Sequence, residues 1–188
     1  DEPLMGVIFW NQAELAAAPD QPDLEEAALL YRRAISYQER LNDREYLCKW
    51  NAYLAAVLQA QGKLDEAQSC VLRSLSIGRA MHNNHPCIGA ALVALSNMRI
   101  ALAERAQDLP ELYTHHLQHA LRTIQRVLAL EELEAETRLK GQLTRVQILL
   151  LLDQKQQARE GLALFASAEP QNEFALLALE AQQLQSRL

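Results

Sequence analysis

The segment THHLQH, residues 114–119, carries the sharpest chemical pattern in the chain. His115 and His119 are four residues apart and His116 and His119 three apart, so on a helix two imidazoles could share a Zn²⁺. The set stops at two: no Glu adjoins it as in an HExxH motif, and nothing in the order of residues places a third ligand, His82 and His85 lying elsewhere. A structural or surface role is the expectation, with metal binding only adventitious. Glu131, Glu132, Glu134 and Glu136 form a run at a predicted helix joint, where solvated charge is the ordinary role. Nothing arranges them as two carboxylates facing across a cleft. No Gly-rich phosphate loop, GxSxG elbow or Cys/His nucleophile signature occurs, and Ser69, Ser74 and Ser76 fall mid-helix. Cys48, Cys70 and Cys87 have no CxxC spacing and sit among apolar helical residues, as packed thiols of a reducing compartment do. The expectation is a non-enzymatic, cytoplasmic protein with no metal and no cofactor.

The elements that carry these residues are helices. Of 188 residues, 49% are apolar and 22% charged, a globular composition. Ala, Leu, Gln, Glu and Arg dominate, and alternating apolar and polar windows are missing. Six prolines punctuate the chain where helices can start or stop. Asp23-Leu24-Glu25-Glu26, Asp43 and His85-Pro86 read as helix starts. The punctuation predicts nine helices, roughly 4–18, 24–41, 44–61, 64–82, 86–106, 110–130, 133–152, 155–167 and 172–187. Short connections make consecutive helices antiparallel neighbours.

Apolar runs such as Ile148 to Leu152 are far short of the roughly 20 residues that cross a bilayer, and no charged-then-apolar leader opens the chain, so no membrane role is expected. The opening Asp1-Glu2, without an initiator Met, suggests a piece of a longer protein or a processed product. With 18 basic and 24 acidic residues the net charge is −6, which disfavours direct nucleic-acid contact. The excess of acid sits at the front: residues 1–42 carry eight acids and three bases.

Spacing then reveals a repeat. After Gly62 come Leu64, Ala67, Val71 and Ser74; after Asp153 come Lys155, Ala158, Leu162 and Phe165 at the same offsets. Pro22, Leu24, Ala27, Tyr31 and Ala34 repeat them near the front, and Tyr113, Leu117 and Ala120 follow a longer turn, residues 105–109. The period is about 40 to 46 residues. A small residue where two helices cross lets their backbones approach, and stacked hairpins bury faces that a single hairpin leaves open.

These residues resemble the tetratricopeptide repeat (TPR). Leu54, Ala55, Leu58, Gly62, Leu64, Ala67 and Val71 follow its pattern, with Asn51 standing where the family carries an aromatic. Trp10, Ala13 and Ala17 with Ala27, Tyr31 and Ala34 form a first copy; Leu92-x2-Leu95 and Gln142-x2-Arg145 open two looser ones. The long period, and the segment ERLNDREYLCKWNAYLAAVLQAQGKLDEAQ, resemble repeats found behind the nucleotide-binding modules of large bacterial signalling and transcriptional regulators. The resemblance implies an all-α solenoid of about four TPR-like hairpins (4–41, 44–82, 86–130, 133–167) plus a C-terminal helix, in a single domain spanning 1–188.

It also implies a concave groove lined by the first helix of each hairpin, taking a protein or peptide partner. Carried over by register, the groove candidates are Lys49, Tyr53, Ala56 and Gln59, then Asn97, then Lys140, Thr144 and Gln147, with Ala52, Val93, Ala94, Ile100 and Leu143 beside them. Ala52 and Ala56 stand where some family members carry a carboxylate clamp, which disfavours that mode. A ligand- or peptide-sensing role within a bacterial transcriptional regulator is the alternative. The last helix, with Phe174, Leu177 and Leu184 on one face and Gln182, Gln183 and Arg187 elsewhere, reads as a solvating cap or as a face that pairs two chains; monomer and dimer both remain open.

Overall fold

A computed structural model describes residues 2–18, 22–81, 87–168 and 175–188. Its described residues form nine helices and no strand: α1 (Glu2–Ala16), α2 (Leu24–Leu41), α3 (Arg44–Ala60), α4 (Leu64–Ala80), α5 (Cys87–Arg105), α6 (Pro110–Leu128), α7 (Ala135–Leu151), α8 (Lys155–Ala168) and α9 (Ala175–Gln185). The all-α expectation holds. The start signals act as their chemistry requires: the Asp23 carboxylate accepts from the Glu26 amide at 3.0 Å and that of Asp43 from the Tyr46 amide at 3.3 Å, while Pro110 opens α6. The His85-Pro86 start lies outside the described residues.

Stop signals agree too. Gly62 has φ +76° and Asp153 φ +57°, so the two positions matched by spacing share the left-handed conformation that ends one helix and turns the chain into the next. Asn42 does the same between α2 and α3, with φ +52°.

By its contacts the chain divides into two compact units, Asp1–Ala94 and Leu95–Leu188, the division falling inside α5. In the first unit α1 packs on α2, α2 on α3 and α3 on α4. The repeat positions form its centre: Ala27, Ala34, Ala67 and Ser74 are fully buried, with Tyr31 and Val71 almost so. Helices one hairpin apart also touch. Trp10 of α1 stacks on the buried Trp50 of α3 at 6.4 Å, and Gly6 admits that approach, since a Cβ there would meet Trp50 at 3.4 Å and the Gln38 amide at 3.0 Å. Between second helices, Arg32 of α2 pairs with Glu66 of α4 at 2.8 Å, Arg73 of α4 pairs with Glu39 of α2, and Lys63 reaches Glu25 at 3.0 Å. These pairs are exposed, so each adds roughly 0.2–1 kcal/mol, and they fix register more than stability.

In the second unit α7 is central, packing on α6, α8 and α9. Leu139, Leu143, Val146 and Leu149 of α7 meet Ala158 and Phe165 of α8 and Leu177 and Leu184 of α9 in one buried cluster. The outer side of α9 shows Gln182, Gln183 and, just beyond, Arg187, as a solvated cap would; Phe174 lies outside the described residues. On α6, Leu117 and Ala120 are fully buried, and the Tyr113 hydroxyl donates to the Leu151 carbonyl at 3.3 Å.

One helix departs from the run-length argument about membranes. α5 is long and apolar enough to cross a bilayer by length and composition alone, and 67% of its most apolar window is buried inside the protein, as in a core helix. Gly89, Ser96 and Asn97 interrupt its apolar residues and hid this from a search for unbroken runs.

Candidate functional site

The groove candidates divide between the two units. In the first, all four lie on α3, whose N-terminus Asp43 caps and whose other side Trp50, Leu54 and Leu58 bury. Lys49 is mostly covered and pairs with Glu45, one turn earlier, at 2.9 Å. Half-buried Tyr53 sets its ring 6.3 Å from that of Tyr31, whose hydroxyl donates to the Glu14 carboxylate. Ala56 is exposed. Gln59 is half-buried, and its Nε2 atom is buried with no hydrogen-bond partner among the described residues. An amide donor left so costs about 1–3 kcal/mol, which a ligand carbonyl at that position would recover. Ala52, beside them, is core.

In the second unit the candidates lie on α5 and α7. Lys140 pairs with Glu136 at 2.7 Å, repeating the Glu45–Lys49 arrangement one turn apart. The Thr144 hydroxyl donates to the Asn97 side-chain oxygen at 3.3 Å, so two first helices are joined at the positions matched by register. Thr144 is itself only 5% exposed; most of its surface is spent on this junction. Gln147 is half-buried. Ile100 and Leu143 are core here, as Val93 and Ala94 are in the first unit. Small and branched side chains at the inner register positions fill the space between helices.

The structure also shows a cleft that the sequence did not suggest. A space of about 350 Å³ opens among α2, α3 and α4, lined by Arg32, Ile35, Glu39, Asn51, Cys70 and Arg73. Asn51 explains it. A large ring at this position would fill the cleft, whereas Asn51 is short and turns its amide back to the Leu47 carbonyl at 2.6 Å. The half-buried Cys70 thiol faces the cleft, and burial pushes its pKa up, so it stays protonated near neutrality. The two arginines are spent on Glu66 and Glu39.

No family model matches this chain, and no curated protein matches it in sequence. Its functional reading therefore rests on its own residues.

The remaining reactive groups are placed as follows. His115 and His119 bring their rings to 4.9 Å, and His116 turns Nδ1 toward the Arg99 guanidinium at 3.4 Å. Desolvation first, then Arg99 and the two neighbouring imidazoles, lowers the His116 pKa. Desolvation, with Arg122 next, lowers that of His119. Among the described residues no three His, Cys, Asp or Glu side chains gather as a metal site would need; His82 and His85 lie outside them. Cys48 and Cys87 are buried thiols, neither in a disulfide. Cys48 donates to the carbonyls of Ser74 and Cys87, each at 3.3 Å, and the Ser74 hydroxyl returns a bond to the Cys48 carbonyl at 2.6 Å. Its hydrogen bond to Cys48, then burial, pushes Cys87 up. Thiols so engaged pack α3 against α4 and α5.

Proposed function

We propose that this chain is a non-enzymatic, TPR-like helical-repeat module that holds a protein or peptide partner against the outward side of α3, as part of a larger assembly. The observation that carries the reading is on α3. There the buried, unpartnered amide of Gln59 lies three residues from exposed Ala56 and six from half-buried Tyr53, on a helix whose opposite side is core. An extended peptide offers what that strip lacks: carbonyls for a buried donor and apolar surface for a ring with a polar tip. A small residue such as Ala56 leaves room for it. The paired lysines, Lys49 and Lys140, supply charge already balanced by Glu45 and Glu136, so an incoming acidic group would compete with a carboxylate one turn away. Affinity is then expected to come from contact along the strip more than from any single ion pair.

The test compares Tyr53→Ala, Gln59→Leu and Ala56→Arg proteins, each shown to be folded by circular dichroism, in binding to partners recovered with the parent protein. Ala56→Arg fills the strip without touching the core and is expected to abolish binding. If all three proteins bind as the parent does, the partner sits elsewhere and the reading fails.

A further inference from the structure

The cleft among α2, α3 and α4 lies on the far side of α3 from the Tyr53 strip. Asn51, which lines it, stands two residues before Tyr53 and so about 160° around the helix. The floor of the cleft is apolar with one polar atom. Ile35 and Leu54, 6% and 4% exposed, line it from α2 and α3. Asn51 is 2% exposed, and only the nitrogen of its amide can donate, so the 2.6 Å bond to the Leu47 carbonyl fixes which end is which. Oδ1 is the end left over, and no described group donates to it. A nearly buried acceptor without a donor thus meets a space of about 350 Å³, within the roughly 300–1,000 Å³ of small-molecule sites. The positions matched to Asn51 by the repeat spacing carry Trp10, Leu92 and Gln142, all larger. The space therefore goes with the short side chain of this one hairpin.

The mouth limits what can enter. Arg32 and Glu39 of α2 line the cleft seven residues apart, and each crosses to α4, Arg32 to Glu66 and Glu39 to Arg73. Seven residues of helix rise about 10.5 Å, so the two bridges leave less room between them than the about 10–12 Å that a helix with its side chains takes up. A flat ring passes where a helix does not. Each bridge sets one cation beside one anion, so the mouth favours neither sign, and the apolar floor penalises a charged occupant. The arginines pair by their edges, whereas a guanidinium meets an aromatic ring by its face, so stacking does not require either pair to open. The half-buried Cys70 sulfur adds polarizable surface to the wall. We propose that the cleft binds a small, neutral aromatic molecule of the indole or phenol type, whose ring N–H or O–H donates to the Asn51 Oδ1.

The test titrates indole and benzofuran into the ¹⁵N-labelled intact chain and follows amide chemical shifts. The two probes share size and shape, but benzofuran carries a ring oxygen in place of the N–H. Indole is expected to bind with Kd below about 1 mM and benzofuran about tenfold more weakly, because its oxygen brings a second acceptor to Oδ1. Asn51→Leu keeps the volume and removes the acceptor, so the two probes should bind that variant within about threefold of each other. Saturating indole should slow alkylation of Cys70 by N-ethylmaleimide about fivefold or more, read by peptide mass spectrometry. Cys70→Trp fills the cleft from a half-buried position and should abolish binding of both probes. Tyr53→Ala/Ala56→Arg should leave indole binding unchanged, so failure of this site and failure of the α3 strip are separate results. No shift at about 5 mM indole, equal binding of both probes by the parent, or a preference that survives Asn51→Leu would each overturn the assignment. So would full Cys70 reactivity under saturating indole, or loss of binding in the Tyr53/Ala56 variant, which would move the probe to the strip.

Discussion

Gly161 offers a test in which sign, and not only size, is at stake. A Cβ built on this helical residue of α8 would stand 2.8 Å from the Val146 Cγ2 methyl of α7, against the roughly 3.5–4.0 Å at which two carbons rest. Val146 is fully buried among Leu143, Leu149 and Phe165, and its branched side chain has essentially one rotamer in a helix, so it has nowhere to swing. Gly161→Ala should then cost about 1–3 kcal/mol in overpacking, offset by about 1 kcal/mol of gained helix propensity, for a net loss near 1 kcal/mol. Val146→Ala alone removes two buried carbons and should cost roughly 1.5–3 kcal/mol. In that background the new methyl enters vacated space, the clash is gone and only the propensity remains. Gly161→Ala should now stabilise. The measurement is urea unfolding followed by far-ultraviolet circular dichroism, as midpoint shifts at constant m-value for the parent, both single variants and the double variant. A rise in midpoint for Gly161→Ala in the parent background, or the same shift in both backgrounds, would refute the close approach of α7 and α8.

Three further outcomes are expected. Asp43→Ala removes the cap of α3 and should lower stability by about 1 kcal/mol, with Asp43→Asn retaining most of it; equal losses in both would show that the charge and not the cap matters. Tyr31→Phe should cost about 1–2 kcal/mol, and the same substitution in a Glu14→Gln background clearly less, measured as a double-mutant cycle; additive effects would deny the hydroxyl–carboxylate bond. His116, its pKa held below the unfolded value of about 6.5 by burial and Arg99, binds its proton more weakly when folded, so stability is fully present above that pH and declines as pH falls through 6.5 toward the folded pKa. The unfolding midpoint should therefore fall between about pH 7.5 and pH 5.5, less steeply in His116→Gln, and an unchanged slope in that variant would sink the attribution.

Helix positions were legible because their signals are local. Asp23 and Asp43 accept from amides three residues on, Pro110 stands in a first helical turn where its missing N–H costs nothing, and the matched spacing after Gly62 and Asp153 reflects one backbone conformation at two turns. What joins the helices was less legible, because the partners are far apart in the chain. Thr144 and Asn97 are separated by 47 residues and Ser74 and Cys48 by 26, and no spacing rule links a hydroxyl to an amide or a thiol at such distances. One long-range signal was there to find: Arg32–Glu66 and Glu39–Arg73 both span 34 residues with opposite charges. Ala27 and Ala67, matched by the repeat spacing, differ by 40, so α2 meets α4 six residues, about 1.7 turns, off that match.

The candidate site was harder to read for a related reason. Register says which way a side chain points, but not whether the neighbouring helix has already taken it. Lys49 and Lys140 are each held by a glutamate one turn earlier, a relation visible in the sequence as Glu-x3-Lys, and Thr144 is drawn into the junction with Asn97. Gln59 carries the same register and keeps an unspent donor. The same distinction separates Arg32 from Arg33. As adjacent cations they are equivalent in composition, yet a helix sets them about 100° apart, so one is consumed by Glu66 while the other lies over Phe9 at an open edge. The polar groups left unspent in this helical protein are thus those that neighbouring helices fail to reach, and they are found by accounting for partners across helices, not along them.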